Sequence, residues 1–189
     1  MRFNTMITKT TNDGKVERLE IEVGLRDEMR RIIRDRIIHN LEATKRFLQL
    51  GEDYKDICAG IYTYAVEEYG KILFLNDLSP TSTNPNLPIQ YKATGQGFLN
   101  HRHKIDLAWD ALPDSCKLLS IGGFTDTGFT QGFTHDTPAK LETRLSIFFV
   151  DFNKDDKFCS IVTPPEVKRE LLVKAVDDFL KFIRGQNYP

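Results

Sequence analysis

Two apolar seams in this sequence are each interrupted by a residue that can carry a proton or a charge. Ile61, Ala65, Glu68 and Ile72 follow one another in steps of four and three, so Glu68 takes a place whose neighbours are apolar. Phe98, His101, Ile105, Ala108 and Leu112 repeat that spacing, which predicts His101 on the apolar face of its own helix. A carboxylate in a core costs several kcal/mol, on the order-of-magnitude scale for buried ions, unless a donor meets it. His101 and Lys71 are the obvious donors. Lys71 lies three residues after Glu68 and Lys104 three after His101, within reach along one helix, whereas Glu67 is expected one position round, towards the bundle edge.

The resulting constellation is Glu67, Glu68, Lys71, His101, His103 and Lys104. An imidazole beside a carboxylate has its charged form favoured and its tautomer fixed, and the lysines are suited to a phosphate, so general acid and base chemistry is one reading. The other is a buried polar pair that fixes helix register. No metal is expected, because a two-metal helix bundle uses Glu-x-x-His pairs and none occurs in these helices; no cofactor is implied either. A second group, Arg34-Asp35 followed by His39, sits earlier. Five residues separate Arg34 from His39, about 140 degrees round a helix, so the two do not share one face cleanly.

The elements that must hold these groups are mostly helical. Met29, Ile33, Ile37, Leu41 and Leu48 recur mainly every fourth residue and predict an amphipathic helix from about 25 to 50, closed by Gly51 where a left-handed cap would sit. Residues 54 to 75 form a second helix, antiparallel to the first because the connection is short. Three prolines between Ser79 and Pro88 predict an irregular loop. A third helix runs from Phe98 until Pro113 stops it. Thr163-Pro164-Pro165-Glu166 fits a capping box, so the last helix is expected to start at Pro164 and end before Gly185, with Leu172, Ala175, Phe179 and Phe182 inward.

Outside the helices, Val16, Leu19, Ile21 and Val23 alternate with polar residues after Asp13-Gly14, which reads as a β-hairpin. Leu141 to Val150 and Phe158 to Val162 flank a polar turn and predict a second hairpin. Between Pro113 and Ala139, Gly-Phe-Thr occurs three times, at Gly123, Gly128 and Gly132, in a segment poor in core residues. It reads either as a surface loop or as an aromatic arm. The organisation is thus an N-terminal extension over 1–23, a bundle over 24–184 with an insertion at about 113–163, and a tail over 185–189. The fold class is mainly α: an up-and-down antiparallel bundle of four to five helices with one or two β-hairpin insertions.

Composition narrows the function classes. Among 189 residues, 26 basic and 27 acidic side chains leave a net charge of −1, which argues against a dedicated electrostatic nucleic-acid binder. An apolar share of 40% supports a real core. The most apolar run, Ile57 to Leu75, is broken by Glu67, Glu68 and Lys71, so no membrane span is expected. The start of the chain lacks the pattern of a secretory signal, and a cytoplasmic location is expected. Cys58, Cys116 and Cys159 are far apart and should stay reduced.

The stretch Ala65-Val-Glu67-Glu68-Tyr-Gly70-Lys71 resembles the Glu-Glu-x-Gly-Lys signature of the AbiV abortive-infection family. His101-Arg-His103-Lys104 is similar to that family's following helix, and Phe149-Val150-Asp151 ahead of Thr163-Pro164 to its aromatic-Val-Asp strand. Order and spacing agree over about residues 25 to 184. The resemblance implies membership of the HEPN superfamily: a helical bundle that often dimerises, with many members acting as metal-independent ribonucleases in phage defence or toxin systems. By matched position it points to Glu67, Glu68, Lys71, His101 and Lys104. The usual HEPN nuclease string, Arg-x4-6-His with a polar residue after the arginine, is met by Arg34, Asp35 and His39, ahead of the Glu-Glu-x-Gly-Lys helix. The partners so implied are RNA as substrate, a second copy in a homodimer, and a phage or antitoxin protein. The alternative is a non-catalytic HEPN module that senses, or is silenced by, a protein partner.

Overall fold

The computed structural model describes residues 6–10, 16–79, 86–91, 98, 101–117, 151–152, 161–162 and 168–186. Four α-helices dominate it: α1 (Val23–Leu50), α2 (Lys55–Asp77), α3 (His101–Ala111) and α4 (Arg169–Gly185). The chain is therefore a mainly helical bundle, as the periodicity predicts. Ile33, Ile37, Leu41 and Leu48 of α1 and Leu172, Ala175, Val176, Phe179 and Ile183 of α4 are buried at helical spacing. Together with α3 they enclose α2, whose buried residues cover most of its circumference.

Charged caps set the helix directions. Arg26 Nη1 of α1 donates to the Leu78 carbonyl, 3.1 Å, just past the end of α2. Arg169, in the first turn of α4, donates through Nε and Nη2 to the Leu48 carbonyl near the end of α1, at 2.8 and 2.6 Å. Arg34 returns the contact, donating to the Ile183 and Arg184 carbonyls at the end of α4, each at 3.3 Å. Each guanidinium satisfies carbonyls that a helix end leaves open and opposes its negative pole. Lys45 with Asp177, 2.6 Å, lies between these caps, so α1 and α4 run antiparallel.

Gly51 closes α1 at φ 144° and ψ −179°, an extended backbone with positive φ rather than the left-handed helical cap the sequence suggests. Only glycine occupies that region without strain. A 3-10 turn at Glu52–Tyr54 then leads into α2.

Strands β1 (Met6–Thr10) and β2 (Val16–Glu22) pair antiparallel as the expected hairpin. A third strand, β3 (Asn86–Tyr91), pairs with β2, Ile21 facing Leu87 in the register. This corrects the loop expected through Pro88. Proline excludes a helix and a central strand but not an edge, and β3 is an edge, with a register shift beside the Pro88 pairing. Leu87 and Ile89, two apart, are both fully buried against the core. β4 (Asp151–Phe152) and β5 (Ile161–Val162) pair antiparallel, in keeping with a second hairpin; Leu141 to Val150 lie outside the described residues.

Two helix starts differ from expectation. Phe98 is a turn residue whose amide donates to the Ile89 carbonyl, 2.6 Å, and α3 begins at His101. Lys168 is extended at φ −77° and ψ 121°, so α4 begins at Arg169 and includes Gly185. The capping box at Thr163 to Glu166 lies outside the described residues, as do Asp13-Gly14 and the Gly-Phe-Thr segment.

Candidate functional site at the crossing of helices α2 and α3

Helices α2 and α3 cross at Gly70. A Cβ built there would stand 1.8 Å from the Lys104 carbonyl oxygen and 2.5 Å from its carbon, so only glycine lets the two backbones meet. That approach brings Lys104 over the preceding turn of α2. Its Nζ lies 2.9 Å from Glu67 Oε1, and both residues are only 3% exposed.

The inward carboxylate is therefore Glu67, not Glu68, and the expectation that Glu67 sits at the bundle edge is overturned. One residue is 100 degrees of helix, so the two carboxylates face different surroundings. Ile57, Ile61, Tyr64, Glu68 and Lys71 make up the outer stripe of α2: Ile57 and Tyr64 are exposed, and the other three half-buried. The seam drawn through Ile61, Ala65, Glu68 and Ile72 straddles two faces: Ala65 and Ile72 are fully buried, whereas Ile61 and Glu68 belong to the outer stripe. Glu68 pairs with Lys71 along the helix, with side-chain exposures of 24% and 19%. Lys71 Nζ also stands over the Phe98 ring, 5.4 Å from its centroid, where the ring face attracts a cation.

His103 is half-buried, its ring edge-on to Phe74 with centroids 5.7 Å apart. The backbone of His101 opens α3, and its side chain lies outside the described residues. The crossing thus gathers Glu67, Glu68, Lys71, His103 and Lys104 on two neighbouring helices, and splits them into a sealed cross-helix pair and a group in contact with solvent. The sequence reading places Phe98 on the seam of the third helix and Gly70 in the Glu-Glu-x-Gly-Lys string without giving either a part in the site, and it passes over Phe74. A glycine in the middle of an apolar helix, where it costs about 1 kcal/mol against alanine, was the available signal for the role of Gly70.

The Arg34 to His39 string is not assembled as a site. Arg34 is turned to the α4 carbonyls, Asp35 is exposed with Arg31 at 3.8 Å and Arg34 at 3.9 Å, and His39 is exposed. The separation of about 140 degrees read from the spacing explains why one end faces a helix and the other solvent.

Away from the crossing, Tyr62, Cys58 and Cys116 are titratable groups buried in the core. The Tyr62 hydroxyl donates to the Cys116 carbonyl at 2.5 Å, and burial pushes it well above the usual phenol range. Burial raises the Cys58 thiol and pushes Cys116 up to about 11, with the Asp178 charge adding to the latter. Both thiols are free and buried, and so are poor nucleophiles. Among the described residues no group of three or more His, Cys, Asp or Glu is placed to hold a metal ion, and no helix is long and apolar enough to cross a membrane. No family model, curated protein or solved structure matches the chain.

Proposed function

We propose that the protein is a cytoplasmic, metal-independent RNA endonuclease of the HEPN kind, working in an antiphage or toxin system, with its chemistry at the α2–α3 crossing. The observation that supports this most is the gathering of a partly exposed lysine, carboxylate and histidine around a buried ion pair on two helices locked by Gly70. In this reading His101 or His103 takes the proton of a 2′-hydroxyl, whose oxygen attacks the adjacent phosphorus. The 5′-oxygen leaves and takes up a proton, giving a 2′,3′-cyclic phosphate. Lys71 faces the charge that grows on the phosphoryl oxygens, and Glu68 holds Lys71 in place. Glu67 and Lys104 position the helices rather than touch the RNA.

A second reading is favoured by the sealing of Glu67 and Lys104: a non-catalytic module, bound by a phage or antitoxin protein, in which the pair only fixes register. Cleavage of end-labelled RNAs in the presence of EDTA separates the two. The nuclease reading expects cyclic phosphate ends, a rate loss of about 100-fold or more in His101→Ala or His103→Ala, and near-normal activity in His39→Ala. Loss with His39→Ala alone would move the site to α1. No cleavage by the wild type would favour the binding module.

A further inference from the structure

Ile57, Ile61, Tyr64, Glu68 and Lys71, the outer stripe of α2, recur in steps of four, three, four and three, the repeat by which one helix presents a seam to another. The flanks of the stripe are closed, with Cys58 and Ala65 buried on one side and Gly60 and Glu67 on the other. The stripe itself is open: Ile57 is 57% exposed and Tyr64 47%. We infer that this seam is the docking face for a helix of another protein, apolar along one stripe and basic at its C-terminal end.

The face is preformed. Towards the α1–α2 turn the seam runs onto Phe47, Leu50 and Tyr54, which are exposed too, and the rings of Phe47 and Tyr54 stack with centroids 6.1 Å apart and planes at 23°. With side chains of this size offering roughly 200 Å² each, about 500 Å² of apolar surface is open on these three residues, Ile57 and Tyr64, near the upper end for one patch on a monomer. From Ile57 to Lys71 the seam is about 21 Å long at a rise of ~1.5 Å per residue, so a partner helix of about four turns covers it. A helix has no free backbone edge to which a strand can add, whereas an amphipathic helix seats its apolar side chains between successive members of such a row.

Charge selects the occupant. At the turn, Lys45 is matched by Asp177, Arg46 by Glu42, and Glu52 by Lys55 and Arg169; at the far end of the seam Lys71 is matched by Glu68. Asp53 and Asp56 are exposed where α2 begins, and among the described residues neither has an ion-pair partner. The start of a helix favours acids in any case, so these two choose the occupant while the apolar row makes the site. A second copy would bring the same surplus of acids to the face, and an anionic membrane would be repelled by it. A helix lying antiparallel on α2 brings its C-terminal end over Asp53 and Asp56, the end at which lysines and arginines also suit its own dipole.

Fluorescence anisotropy on the full chain, with no RNA present, tests this independently of the ribonuclease reading. The probe is a labelled synthetic helix of about 18 residues, with leucine at its a and d positions, glutamine and alanine elsewhere and lysines in its last turn; a second probe carries glutamates in place of those lysines. The lysine probe should bind with a Kd of about 10 µM or tighter. Ile57→Gln combined with Tyr64→Gln should weaken it by at least ~100-fold with an unchanged circular dichroism spectrum, since both residues are exposed. Asp53→Lys combined with Asp56→Lys should weaken the lysine probe by roughly 10-fold and favour the glutamate probe by a similar factor. No binding of the lysine probe at ~100 µM overturns the inference, as does binding indifferent to the glutamine variant or to the exchange of lysines for glutamates. A wild type that self-associates, or sediments with phosphatidylcholine vesicles, and ceases to do so in the glutamine variant gives the face to a second copy or to lipid and equally overturns it.

Discussion

Glu67 and Glu68 are neighbours in the chain, each is paired with a lysine, and they live in opposite electrostatic regimes. Glu67 reaches across to Lys104 on another helix, and both are sealed from water; Glu68 reaches along its own helix to Lys71, and both remain partly wet. Charges removed from water lose several kcal/mol of hydration each, so the inner pair is held by mutual dependence. The outer pair is screened and can let go of its partner. A site that must exchange one counter-ion for a phosphate can use only the second kind.

Breaking the inner pair should have the largest effect. Lys104→Met keeps the length of the side chain but leaves a buried carboxylate without its cation, and should cost about 3–5 kcal/mol in denaturant unfolding. Adding Glu67→Leu should recover most of that loss, because two apolar groups replace two charges of similar volume. Additive losses in the double variant would show that the pair is not one unit, and the contrast with Glu68 would dissolve.

The glycine beneath the pair comes next. Gly70→Ala drives a Cβ into the Lys104 backbone, which cannot rotate away as a side chain can, and should cost about 1–3 kcal/mol or a melting temperature several degrees lower. Gly24→Ala, also in a helix but with nothing within 4 Å of the added atom, is the control and should be neutral or stabilising by less than ~1 kcal/mol. Equal effects at the two glycines would mean that the crossing at Gly70 is loose enough to give.

How much of this the sequence carried depends on what kind of pattern each element left. Helices α1 and α4 pack one face, so Ile33, Ile37, Leu41, Leu172 and Phe179 could be read directly from their period. Helix α2 is enclosed on most sides, which erases the contrast between faces; a seam through the buried Ala65 and Ile72 then takes in the half-buried Ile61 and Glu68 at its border and passes over the buried Glu67. Strand β3 was hidden for a different reason. Pro88 within it and Pro80 and Pro85 before it signal a break in local structure, while its place is set by pairing with β2, more than sixty residues earlier in the chain, which no local window contains. Gly70 belongs with it: the residue was visible, but the backbone it makes room for lies on another helix.

The smallest expected change in stability is at the outer pair, and it sharpens the comparison most. Lys71→Met removes a partly exposed i to i+3 ion pair worth about 0.3–0.5 kcal/mol, a difference that should shrink by ~1 M salt as the charges are screened. Under the ribonuclease reading the same substitution removes the cation facing the phosphoryl oxygens, so cleavage should fall by roughly 100-fold while the fold is barely touched. Lys104→Met should do the reverse when assayed well below its melting temperature: a large loss of stability, with residual cleavage in proportion to the folded fraction. Parallel losses of stability and activity in both variants would deny that the two lysines have divided the work between them, and would leave the α2–α3 crossing as a structural joint alone.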